Sequence, residues 1–145
     1  MQTKIEHTLF FRHRPEAVWE YLTNAELITQ WLMKNDFKPA PGHEFMFWTT
    51  PLPNYHFDGN IYCKVLEIIP FKKLAYSWRG GADKDNISLD SVVTWTLEEK
   101  EDGTQLHLEH TGFKGDENIG MYMVMNEGWF RIINKMNEML NNAAK

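Results

Sequence analysis

A chain of 145 residues, 43% apolar and 24% charged, is the size and texture of one globular domain able to bury a core without disulfides. Its formal charge of −5, with no run of Lys or Arg, excludes the basic patch that nucleic acid or an anionic membrane demands. One cysteine, Cys63, excludes an internal disulfide, and no stretch approaches the roughly 20 apolar residues of a membrane span.

The N-terminal "MQTKIEHTLFF" lacks the apolar core of a signal peptide, so the chain reads as cytoplasmic. "TKIEHTLFF" is rich in β-formers and predicts a first strand. "RPEAVWEYL" places Pro15 at a first helical position, where its missing N–H costs nothing. "TNAEL" then offers a capping box, Thr23 with Glu26, for a second short helix through "ITQWL".

From Pro39 onward the texture is that of strands. "EFMFWTT" is cut by "PLPN", and "HFDGNIYCKVLEIIP" predicts a long strand ended by Pro70. "KLAYSWRG" stops at Gly80–Gly81 before a polar "ADKDN" loop, and two further strands flank the hairpin signal "EDG". Leu74, Tyr76 and Trp78 alternate onto one face of their strand. Val93, Trp95 and Leu97 do so on the next, as do Leu106, Leu108 and His110 on the last. This is the pattern of an antiparallel sheet with one wet face.

Helical period returns at the end. Tyr122, Met125, Trp129, Ile132, Met136, Met139 and Ala143 recur at steps of three and four, predicting a helix of about 25 residues, roughly 37 Å long. The stretch 121–140 holds five of the eight methionines and one glycine, Gly128. No linker or repeat interrupts the sequence, so residues 1–145 read as one α+β domain.

Four stretches carry a resemblance: "PEAVWEYLTNAELITQW", "FDGNIYCKVLEIIPFKKLAYSW", "SVVTWTLEEKEDGTQLHLEHTGF" and "NEGWFRIINKMNEML". In order and spacing the chain resembles the helix-grip fold of the START/Bet v 1-like (SRPBCC) superfamily. Within it, the chain is similar to the activator of Hsp90 ATPase homologue 1-like (AHSA1) family. The resemblance implies a curved six-stranded antiparallel sheet, two short helices and a long C-terminal helix over a cavity. It transfers no catalytic residue, and the fold hosts lipid carriers, hormone receptors, cyclases and chaperone activators alike.

Individual residues sharpen the expectation. Aromatics make up 14% of the chain, more than a core of this size needs, which suits a ring-lined pocket. Met is flexible and polarizable, fit for a surface that must accept several shapes. Trp78, Trp95, His110, Met121, Met125, Trp129 and Met136 are therefore the candidate ligand-binding residues, although for His110 the reading favours a satisfied buried histidine over a polar contact at the rim. Gly128 costs its helix about 1 kcal/mol against Ala, and the compensation is either close backbone packing, the favoured reading, or a bend that opens the cavity. Trp19 and Trp31 are expected to knit the short helices to the rest, and Met123 to face solvent or a partner.

The six histidines show no metal-ligand spacing; His107 and His110, three apart on a strand, point to opposite faces. No nucleophile elbow, phosphate loop or dinucleotide fingerprint is present. Asp58, Glu127 and His110 are acid–base candidates only by elimination, so no catalytic residue, metal or cofactor is assigned. The sequence favours a cytoplasmic domain binding a small apolar or aromatic molecule, as monomer or homodimer. The alternative is a partner of an Hsp90-type chaperone, although the separate N-terminal domain of a full chaperone activator is missing from this sequence. A cyclase-like enzyme ranks last.

Overall fold

The computed structural model describes residues 2–143. Strand β1 (Gln2–Phe11) leads into helices α1 (Pro15–Thr23) and α2 (Ala25–Trp31). Strands β2 (Lys34–Asn35), β3 (Glu44–Trp48), β4 (Asn60–Ile69), β5 (Lys73–Asp83), β6 (Asn86–Lys100) and β7 (Gly103–Lys114) follow, and α3 (Ile119–Ala143) closes the chain. All neighbours pair antiparallel in one curled sheet of order β1-β7-β6-β5-β4-β3-β2.

The sheet thus has seven strands rather than the six expected. The extra one is β2, two residues that pair with Trp48 and Phe47 at the sheet edge. A two-residue strand has no period to read. It is held by the Asn35 side chain, which donates to the carbonyls of Ala25 and Met33 and accepts from the Phe37 N–H.

The start of α2 also differs from expectation. Asn24, not Thr23, is the N-cap, its Oδ1 accepting from the N–H groups of Glu26 at 3.0 Å and Leu27 at 3.3 Å. Thr23 instead ends α1 and donates to the Trp19 carbonyl one turn back. The predicted long strand before Pro70 begins only at Asn60, because Phe57 bridges back to Leu52 around a 3-10 turn at Pro53–Tyr55. The "ADKDN" segment is mostly strand, with only Lys84 and Asp85 between β5 and β6.

The alternating inward sets form the floor of the core: Leu74, Tyr76 and Trp78, then Val93, Trp95 and Leu97, then Leu106, Leu108 and His110 are all buried. Helix α3 lies on this face and buries Trp129, Ile133, Met136 and Leu140. Trp129 meets Trp78 and Trp95 at ring separations of 5.3 and 5.5 Å. Trp31 packs edge-on to Trp95 at 5.9 Å, tying α2 to the sheet, and donates its indole N–H to the Tyr21 carbonyl of α1. Trp19 reaches Phe71 at 6.1 Å. No helix among the described residues is long and apolar enough to cross a membrane.

Candidate functional site

The C-terminal half of α3 fills the concavity of the sheet, and its N-terminal half leaves space. That space is a pocket of about 320 Å³ between α3, the inner ends of β5 and β6, and the segment 49–57. Its size lies at the lower end of the roughly 300–1,000 Å³ typical of small-molecule sites. Trp78 and Trp129 form the floor with Phe57, Ile61 and Leu89, all buried. Met121, Met125 and Ile132 are half-buried on the helix side. Thr49, Thr50, Tyr55, Val124 and Arg131 are exposed at the rim, so the pocket opens to solvent rather than being sealed inside.

Gly128 lines this pocket, and it does not provide the close packing expected of it. A Cβ placed there would meet only the Arg131 Nη2, at 3.8 Å. The glycine is therefore an opening in the helix surface. The close approach occurs instead at Gly120, where a Cβ would lie 2.5 Å from Cε1 of Tyr55. With no side chain at 120, the Tyr55 ring can lie against the helix and wall the pocket.

The candidate residues divide between two layers. Trp78, Met121, Met125 and Trp129 line the pocket. Trp95, His110 and Met136 do not; each has 0% exposure and lies in the core. Met136 is eleven residues beyond Met125, roughly 16 Å along the helix axis, past the pocket's end. Trp95 is enclosed by Trp31 and Trp129, and its N–H donates to the Tyr76 hydroxyl at 3.0 Å. Burial pushes the Tyr76 phenol well above its usual range.

His110 sits beneath the floor in a buried relay. The Trp129 indole N–H donates to His110 Nδ1 at 3.0 Å, which requires the ring proton on Nε2. Nε2 lies 2.8 Å from Ser91 Oγ and donates to it, and Ser91 Oγ donates to the Trp78 carbonyl at 2.7 Å. Burial lowers the His110 pKa to about 3, so the imidazole is neutral. This Ser–His pair does not have the polarity of a nucleophile and its base. The hydroxyl proton is committed to a carbonyl, the imidazole is already the donor to that hydroxyl, and neither group reaches solvent.

The other acid–base candidates lie elsewhere. Asp58 accepts from the backbone and side-chain amides of Asn60 at 2.9 and 3.2 Å, holding a turn, and Glu127 is exposed. Cys63 is buried, with its thiol pKa pushed up by burial and then by Asp36. Strand register brings together one group that sequence spacing hid. On the outer sheet face, ligand atoms of Glu6, His107 and Glu109 lie within 4.8 Å of one another across β1 and β7. The Lys4 ammonium sits on both carboxylates at 3.2 Å and occupies the place of a cation.

Several lining residues escaped the sequence reading. Leu89 was within reach of it, since it shares the inward alternation of Val93 and Trp95 along β6. Thr49, Thr50, Leu52, Tyr55 and Phe57 come from a non-periodic segment whose placement is set by long-range packing. Arg131 carried no signal beyond a single charge on a polar helix.

Comparison with known proteins agrees with this architecture. The structure of protein MLL2253 from Mesorhizobium loti is 35% identical, with a TM-score of 0.85 over 97% of this chain and 98% of that one. Protein BH1534 from Bacillus halodurans is 27% identical, with a TM-score of 0.76 over 97% and 99% of the two chains. The Aha1 dimer from Colwellia psychrerythraea shares the fold at 17% identity, with a TM-score of 0.78 over 95% and 96%. Among curated proteins none is significantly similar in sequence. The family model described as activator of Hsp90 ATPase homolog 1-like protein matches residues 12–141, and the chain belongs to that family, within the SRPBCC superfamily.

Proposed function

We propose that this protein binds a small apolar or aromatic molecule in the open pocket between the sheet and the N-terminal half of α3. The observation that carries the reading is Gly128. A glycine within a 25-residue helix costs about 1 kcal/mol, and here no tight contact offsets it. What the missing side chain provides is space beside two tryptophans and two methionines. Local rules of stability tend to be broken where function needs it.

The test uses the methionine methyl groups. With ¹³C-methyl labelling, flat aromatic and medium-chain aliphatic compounds are expected to shift Met121 and Met125 saturably. Met136, deep in the core, and Met123, 63% exposed, should stay unmoved. Shifts confined to Met123, or equal at all methyls, would refute pocket binding.

A second reading, association with an Hsp90-type chaperone, draws on the family description and on one surface feature. Ile119, Met123 and Phe130 are exposed on α3, at 45%, 63% and 59%. Met123→Ser with Phe130→Ser would abolish such an association and leave pocket binding intact. The pocket reading is preferred because it accounts for Gly128, which the outer face of the helix does not.

A further inference from the structure

Resting on the pocket-binding reading, we infer that the ligand is an anionic amphiphile. It would be a small carboxylic acid whose apolar body lies on Trp78 and Trp129 and whose carboxylate meets the Arg131 guanidinium at the rim. The first support is the charge inventory. Among the described residues lining the pocket, Arg131 is the one that carries a charge, and none is a carboxylate. The second is the position of the guanidinium. Helical side chains lean toward the N-terminus, so Arg131 reaches back over Gly128, where a Cβ would be 3.8 Å from Nη2. The glycine that opens the pocket also gives the guanidinium its seat at the mouth.

The third support is that the cation is unspent. The ion pairs of the described residues engage Lys4, Lys73, Arg79, Lys100 and His107, and Arg131 is in none of them. Guanidinium is a rigid fork matched to a carboxylate, and the exposed hydroxyls of Thr49 and Thr50 supply further donors at the rim. The net charge of −5 opposes an anion only at long range. At physiological salt that field decays over about 8 Å, so the adjacent guanidinium decides.

The apolar body can be an acyl chain or a fused ring, and matched probes distinguish them. Decanoate against decanamide, and naphthoate against naphthamide, would be titrated while following the Met121 and Met125 methyls. For the body that fits, the acid is expected to bind about tenfold tighter than the amide, the worth of one partly exposed charge-assisted contact. That preference should shrink in high salt. Arg131→Gln should bring the acid down to the amide and leave the amide's affinity unchanged. If acid and amide bind equally to the wild type, or Arg131→Gln weakens both alike, the carboxylate assignment is overturned and the pocket stands. If none of the four probes moves either methyl, the pocket reading falls with it.

Discussion

Replacing Gly128 by Ala is the most direct probe of the pocket, because packing and emptiness predict opposite signs. The residue lies in the helix interior, where Ala is favoured over Gly by about 1 kcal/mol. A new methyl would make an ordinary contact with Arg131 Nη2 at 3.8 Å and clash with nothing. The full propensity gain should therefore appear, raising the melting temperature by about 2–6 °C for a domain of this length. Gly120→Ala is the internal control. Its methyl would lie 2.5 and 2.8 Å from Cε1 and Cδ1 of Tyr55, so the ring must leave its seat. Gly120 also lies in the first turn, where helix propensity counts for less. Both effects act in one direction, and Gly120→Ala should melt at or below the wild type. The assay is thermal unfolding by circular dichroism at fixed pH. A fall of more than about 2 °C for Gly128→Ala would mean that its Cβ meets packed atoms and that the helix is not open there. Gly128→Leu extends the test. Its side chain should occupy the pocket, keep the stability gain and abolish ligand-induced shifts at Met121.

Four other outcomes follow from the geometry. His110, with a pKa lowered from 6.5 unfolded to about 3 folded, takes no proton while the unfolded chain does. Stability should be level above pH 6.5, fall by about 2 kcal/mol by pH 5, and stop falling from this source near pH 3. Urea titrations should show His110→Gln without that decline; an equal decline would assign it to other groups. Trp129→Phe removes the donor to His110 Nδ1 and should cost about 1–3 kcal/mol, and a neutral result would refute the relay. Asn24→Ala should cost about 1 kcal/mol and Thr23→Ala less, an order that Thr23 as N-cap would reverse. The Cys63 thiol, buried with a raised pKa, should react with Ellman's reagent only on unfolding; fast native reaction would contradict its placement.

The sheet core was legible because inward alternation has a period of two, and every residue assigned to the inner faces of β5, β6 and β7 is buried. The long helix was legible for the analogous reason. Reading failed where no period exists. A two-residue strand, the 49–57 segment and the N-cap choice between Thr23 and Asn24 depend on tertiary placement or on a single hydrogen bond. The site was half legible. Periodicity shows which residues turn inward, but inward residues of a gripped helix divide into those that touch the sheet and those that face the gap. That division depends on the diverging distance between helix and sheet. Met125 and Met136 fall on one stripe, yet one lines the pocket and the other is sealed in the core.

His110 illustrates how a residue can matter to a site it never touches. Its sequence position allowed a polar contact at the rim or, the favoured reading, a satisfied buried histidine; the structure has the second, behind the floor with both nitrogens committed. Its partners, though, are the two floor tryptophans. Nδ1 receives the indole N–H of Trp129 on α3, and Nε2 reaches the Trp78 carbonyl on β5 through Ser91. The relay therefore fixes helix to sheet at the pocket's inner boundary. It can do so only with the imidazole neutral, because a proton on Nδ1 would oppose the Trp129 N–H, donor against donor. Burial keeps it neutral over the physiological range. The position of the pocket floor is thus set by a polar chain buried in the core. A substitution at His110 that leaves the Trp129 N–H without an acceptor should loosen the floor and weaken ligand binding, though His110 contacts no ligand. His110→Gln, which offers Trp129 an amide oxygen and Ser91 an amide N–H, should retain more of both stability and binding than His110→Leu.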